Sequence, residues 1–137
     1  MKKITGIGKL SFTPTSPRIT VLKSITDKLG LSTRDRICFT VGETLEGEHR
    51  LECRINFADK RVDVSQPPLP VFHSFVNTCI PIRKTARNIH YLSISSRVLA
   101  HHVFHEGDRF EWMLLLDDDG DVVEARINYL PVEDVRL

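Results

Sequence analysis

The chain has 137 residues, 41% of them hydrophobic and 27% charged, with a formal net charge of +1. This composition suits one ordinary globular domain or two intimate halves, and no apolar run approaches the roughly 20 residues of a membrane span. A charge so near zero does not by itself point to a nucleic-acid binder, although a one-sided arrangement of the charges is compatible with one.

The N-terminal MKKITGIGKL lacks the long apolar core and small-residue cleavage site of a secretory leader, so export is not expected. Loose alternation from Lys2 to Phe12 predicts a first strand, and Thr13 to Pro17 (TPTSP) is a turn-rich loop. The stretch from Arg18 to Val41 is the organising unit of the chain. Ile19 and Val21 alternate as on a half-buried strand, then Ile25 and Leu29 fall at i and i+4 on one face of a helix of about two turns. Gly30 stands where a helix end takes a residue with positive φ. Ser32 to Asp35 is turn-like, and Ile37, Phe39 and Val41 alternate again. So short a helix is not stable alone, so the unit has to bury its apolar stripe against another element.

Gly42 to Glu48 reads as a polar hairpin loop, and Leu51, Cys53, Ile55 and Phe57 place a strand over Arg50 to Phe57. Ala58 to Lys60 is a tight turn before Arg61 to Val64, and Ser65 to Pro70 (SQPPLP) excludes a central strand or a helix. Val71 to Ile82 is apolar and fits either a strand or a short helix. Asp117 to Asp121 (DDDGD) is a hairpin turn joining Phe110–Leu116 to Val122–Tyr129.

The pattern of the first unit returns from Tyr91 to Trp112. A shift of 73 positions carries Ile19 onto Leu92, Val21 onto Ile94, Ile25 onto Val98, Leu31 onto Phe104, Ile37 onto Phe110 and Asp35-Arg36 onto Asp108-Arg109. Few identities survive, but the apolar positions keep their places, which is the mark of an internal duplication. The halves are then residues 1–64 and 71–137, joined by a proline-rich linker at 65–70.

Several chemical motifs fail on their spacing. His101, His102 and His105 form an HHxxH string whose first and third members would share a helix face, but no Glu stands at the metalloprotease position. They read as surface or turn histidines. Placing Gly120 sixth in a calcium loop puts Leu115 first and Arg126 twelfth, which is no ligand set. Gly6-x-Gly8 lacks the third glycine of a dinucleotide fingerprint. Cys38, Cys53 and Cys79 are an odd number without CxxC spacing, and they read as buried reduced thiols of a cytoplasmic protein. Nothing in these patterns indicates an enzyme or calls for a cofactor or metal.

Thr5-Gly6-Ile7, Arg18-Ile19-Thr20-Val21, Lys28-Leu29-Gly30-Leu31 and Asp35 together resemble the swapped-hairpin domain of the AbrB/SpoVT transition-state regulators and MazE-type antitoxins. The resemblance covers about the first 40 residues, and more weakly 89–127, where Glu106-Gly107-Asp108 keeps the turn but the Leu-Gly pair is missing. It implies a mostly β barrel built from two interlocking hairpin halves, each with one short helix and both supplied here by one chain. It also implies sequence-selective binding of double-stranded DNA through a basic face.

The residues that carry the DNA expectation are Lys9, Arg18, Lys23 and Lys28 in the first half and Arg83, Lys84, Arg87 and Arg97 in the second. Arg18 occupies the family's arginine position, with Pro17 in place of its glycine, and a guanidinium there suits phosphate or base-edge contact. The family's basic pair late in the helix is here Thr26-Asp27, whose carboxylate repels phosphate. That departure and the near-neutral charge support a rival expectation, a module that binds a protein partner as an antitoxin does. A second rival is a peptide-binding barrel. A homodimer is favoured over a monomer, with Val71–Ile82 as its extra surface.

Overall fold

The computed structural model describes residues 2–12, 17–59 and 71–132. The first unit runs β1 (Lys2–Phe12), β2 (Pro17–Thr20), α1 (Lys23–Leu29), β3 (Arg36–Thr44) and β4 (His49–Asn56). The second runs β5 (Val71–Pro81), β6 (Arg83–Lys84), β7 (His90–Ser93), α2 (Ser96–Leu99), β8 (Arg109–Leu116) and β9 (Val122–Leu130). The ambiguous Val71–Ile82 segment is thus a strand. Arg61–Val64 and the linker at 65–70 lie outside the described residues.

The helix ends as the sequence predicts. Gly30 takes the left-handed conformation at φ 62°, ψ 38°, and the Leu31 N–H reaches back to the Thr26 carbonyl at 3.0 Å. The second helix has only four residues, and its C-cap Ala100 remains right-handed.

The strands form two antiparallel sheets, one of six strands in the order β6-β7-β2-β1-β8-β9 and one of three in the order β4-β3-β5. Among the described residues neither ladder closes on itself into a barrel. Strands β4 and β9 lie side by side at the seam without a ladder between them. The halves interlock, since β1 of the first pairs with β8 of the second, and β5 of the second pairs with β3 of the first.

One core fills the space between the sheets and takes residues from both halves, among them Ile19, Ile25, Ile37 and Phe39 with Leu92, Val98, Phe110 and Trp112. Two glycines let β1 pass through this packing. Gly8 faces Phe110 and Gly6 faces Trp112. A Cβ on Gly8 would lie 2.5 Å from the Thr20 carbonyl oxygen, and one on Gly6 would lie 3.0 Å from side-chain carbons of Leu22 and Ile25. The β2–α1 connection can lie close against β1 because both positions lack a side chain.

Asp35 and Asp108 are both 0% exposed and hold the turns before β3 and β8 in the same way. Asp35 accepts the Ser32 and Ala58 N–H groups at 2.9 Å each, and Asp108 accepts those of His105 at 3.0 Å and Val132 at 2.8 Å. Each buried carboxyl thereby satisfies two backbone donors that the turn would leave without partners.

The cysteines depart from expectation. Cys38 and Cys79 face each other in the β3–β5 ladder and form a disulfide on the half-buried outer side of the small sheet, while Cys53 is free and buried. The cytoplasmic expectation rests in part on three reduced thiols, and the disulfide removes that support.

Candidate nucleic-acid interface

Alternation along the strands decides which charges meet. On β1 and β8 the residues Gly6, Gly8, Leu10, Phe110, Trp112 and Leu114 point inward, so Lys9 and its ladder partner Arg109 point outward. Leu10 pairs with Ile19, which brings Lys9 beside Thr20; Thr20 pairs with Tyr91, and Tyr91 with Arg83. The ladder registers thus draw one row across the outer face of the large sheet, from Arg109 through Lys9 and Tyr91 to Arg83. Arg18 lies next to this row, its guanidinium carbon 4.0 Å from the centre of the Tyr91 ring. That cation–π contact fixes the side chain over the aromatic face. Its Nε is buried and makes no hydrogen bond among the described residues.

Among the described residues this face carries six cations, Lys3, Lys9, Arg18, Arg83, Arg109 and Arg126, and two carboxylates, Glu111 and Glu124. Glu124 is already occupied by Arg126 at 3.0 Å. A surplus of four positive charges stands out on a chain whose net charge is +1. Much of the compensating acid sits on the two hairpin tips, at Glu46 and Glu48 between β3 and β4 and at Asp117–Asp121 between β8 and β9.

Of the eight residues the sequence singled out, Lys9, Arg18 and Arg83 come together on this face. Lys23, Lys84 and Arg87 gather instead around a groove of about 560 Å³ between α1 and the β6–β7 turn. Lys28 lies apart, beside Lys2 and the acidic turn residues Asp117 and Asp118. Arg97 is exposed on α2, which packs by β3 and β5. Asp27, the expected deterrent to phosphate, forms an exposed ion pair with Lys23 at 3.1 Å. Sequence reasoning missed Arg109, Arg126 and Tyr91. The alternation of RFEWMLLL already marked Arg109 as outward; that it faces Lys9 is a property of the ladder.

A second polar constellation crosses the β4–β9 seam. Tyr129 Oη donates to Asp108 Oδ2 at 2.7 Å, His102 Nε2 lies 3.0 Å from Tyr129 Oη, and His102 Nδ1 lies 3.1 Å from His49 Nε2. The tyrosine proton is committed to Asp108, so His102 donates through Nε2 and accepts through Nδ1 from His49. Burial, reinforced by His49, lowers the His102 pKa to about 4. Burial and the hydrogen bond to Asp108 raise that of Tyr129. Burial also raises the Cys53 thiol, with Glu52 adding to it. His102 is therefore a half-buried link in a chain, which corrects its reading as a surface or turn residue. His101 and His105 lie beyond the end of α2, so the helical face they were to share does not exist.

Among the described residues no three His, Cys, Asp or Glu side chains converge as metal ligands, and no helix is long and apolar enough to cross a membrane. No family model matches the chain, and neither a curated protein nor a solved structure shows significant similarity to it.

Proposed function

We propose that the chain is a DNA-binding regulator of the AbrB-like type, with two swapped-hairpin-like halves joined in one barrel and the outer face of the six-stranded sheet as its DNA surface. The observation that carries this reading is the surplus of positive charge on that face, set in a row by the ladder registers. In this reading phosphate contacts from Lys9, Arg83 and Arg109 supply affinity, and Arg18, which lies over the Tyr91 ring, reads a base edge. The pairing of Asp27 with Lys23 offsets the repulsion that weighs against DNA. The interlocking of the halves and the adjacency of β4 and β9 support the barrel.

Fluorescence anisotropy with labelled duplex tests this. Log affinity should fall linearly with log salt, with a slope corresponding to about four to eight phosphates. Arg18→Ala should cost about 1–3 kcal/mol, and more on a preferred sequence than on random duplex. Arg109→Ala should weaken all sequences alike, and Arg97→Ala should change nothing. Absence of duplex binding at about 50 mM salt ends the reading.

A protein-partner reading draws on a different surface. Phe75, Leu99 and Val103 are exposed, and Phe75 stacks on His101 at 6.0 Å beside them. Strand β5, which carries Phe75, is an edge of the small sheet, a place where a second copy can add. Light scattering decides whether that partner is a second copy: a dimer mass that Phe75→Glu converts to a monomer supports the homodimer, and a concentration-independent monomer of the unaltered chain refutes it.

A further inference from the structure

The groove between α1 and the β6–β7 turn meets the row on the sheet face at Thr20, and its lining is more specific than a solvated basic patch. Its volume of about 560 Å³ falls within the range of small-molecule sites. Leu22 and Ile89, 39% and 46% exposed, line it with the buried Val21. Two large apolar side chains are thus left open to solvent at the edge of one concavity. Lys84, Arg87 and His90 line it from β6, the turn and β7, and Lys23 from the helix. Asp27, the acidic residue on its wall, is already ion-paired with Lys23.

The turn that presents Arg87 and Ile89 is fixed. Thr85 Oγ1 accepts the N–H groups of both at 3.2 Å, the Thr85 N–H donates to the Ile89 carbonyl at 2.9 Å, and Asn88 takes φ 63° with its N–H on the Thr85 carbonyl at 3.0 Å. Ordering this loop therefore takes little from the free energy of binding.

We propose that this groove binds a nucleoside phosphate, with Lys84 and Arg87 on the phosphates and Leu22 and Ile89 against the nucleobase. Lys84 and Arg87 bring two positive charges from one hairpin to one small space, which matches a compact polyanion. The guanidinium of Arg87 supplies a planar fork for phosphate oxygens and Lys84 a point charge. The apolar pair matches the flat faces of a base, which free phosphate lacks. The inference does not rest on DNA binding by the sheet face.

Calorimetric titration with ADP, adenosine and inorganic pyrophosphate tests it. ADP should bind, with adenosine and pyrophosphate each at least about tenfold weaker. The double variant Lys84→Glu/Arg87→Glu should lose ADP by about thirtyfold or more; both side chains are exposed, and an unchanged melting temperature would show that the fold is intact. Ile89→Ser should weaken ADP about tenfold while leaving pyrophosphate unchanged. Arg18→Ala should leave ADP affinity untouched. Absence of ADP binding up to about 1 mM, or binding indifferent to Lys84→Glu/Arg87→Glu, overturns the proposal, whatever duplex DNA does. Pyrophosphate binding as tightly as ADP also overturns it, since it leaves only a general anion patch.

Discussion

Ile19 and Leu92 lie directly opposite each other in the β2–β7 ladder, both wholly buried, and they are the two residues that the 73-residue shift superposes. A residue that pairs with its own repeat equivalent in an antiparallel ladder lies on a local twofold axis. The neighbouring bonds obey that axis: Val21 N–H donates to the His90 carbonyl at 2.9 Å and Ile94 N–H to the Pro17 carbonyl at 3.0 Å. The two halves are therefore joined across the β2–β7 ladder of the large sheet, beside Arg18 and Tyr91. Ile19→Ala and Leu92→Ala should each cost about 2–5 kcal/mol in urea unfolding. Because the pair shares one contact, the double variant should depart from the sum of the two by about 0.5 kcal/mol or more. Strict additivity would mean that the halves are stabilised independently.

Gly8→Ala should be more damaging than its single methyl suggests. The added Cβ would meet the Thr20 carbonyl oxygen at 2.5 Å, and a backbone atom cannot rotate away. Overpacking of this kind costs about 1–3 kcal/mol, expected here at the upper end. Gly6→Ala meets only the side-chain carbons of Leu22 and Ile25, so its loss should be smaller. Equal melting temperatures for the two variants would contradict this.

Acid should destabilise the fold through His102. Its folded pKa of about 4 lies below the ordinary histidine value of 6.5, so the unfolded chain takes up a proton that the folded chain refuses. This contribution to stability is present above pH 6.5 and is lost as pH falls through that window toward 4. Protonated His102 would also turn a second donor toward His49. The first half has Leu29 at the equivalent position. His102→Leu should therefore flatten the dependence of the urea midpoint on pH between these limits. The difference curve reports His102 together with its coupling to His49, Asp108 and His105. Parallel pH profiles would refute the assignment.

Reducing the disulfide should loosen β5. Cys38 and Cys79 are 41 residues apart, and a crosslink closing a loop of that length contributes about 3–4 kcal/mol by restricting the unfolded chain. Unfolding with and without a dithiol reductant should show that loss in the unaltered chain and none in Cys38→Ser/Cys79→Ser. Free-thiol titration of the denatured, unreduced protein should find one thiol, that of Cys53, and finding three would exclude the bridge.

Local order was readable in the residues themselves. Alternation marked most of the strands but left β5 open, Gly30 ended α1, the acidic run formed the β8–β9 turn, and the repeated Asp35 and Asp108 marked equivalent turns. Each of these depends on chain neighbours, whose geometry is fixed by φ, ψ and a short-range hydrogen bond. The tertiary structure alone decided the division into two sheets, the Cys38–Cys79 bridge, the chain from Asp108 through Tyr129 and His102 to His49, and the meeting of Lys9 with Arg109. These relations join residues far apart in the chain, and alternation says only which side of a strand a residue takes. The opposing residue is set by the register of non-consecutive strands, which burial of the shared core selects.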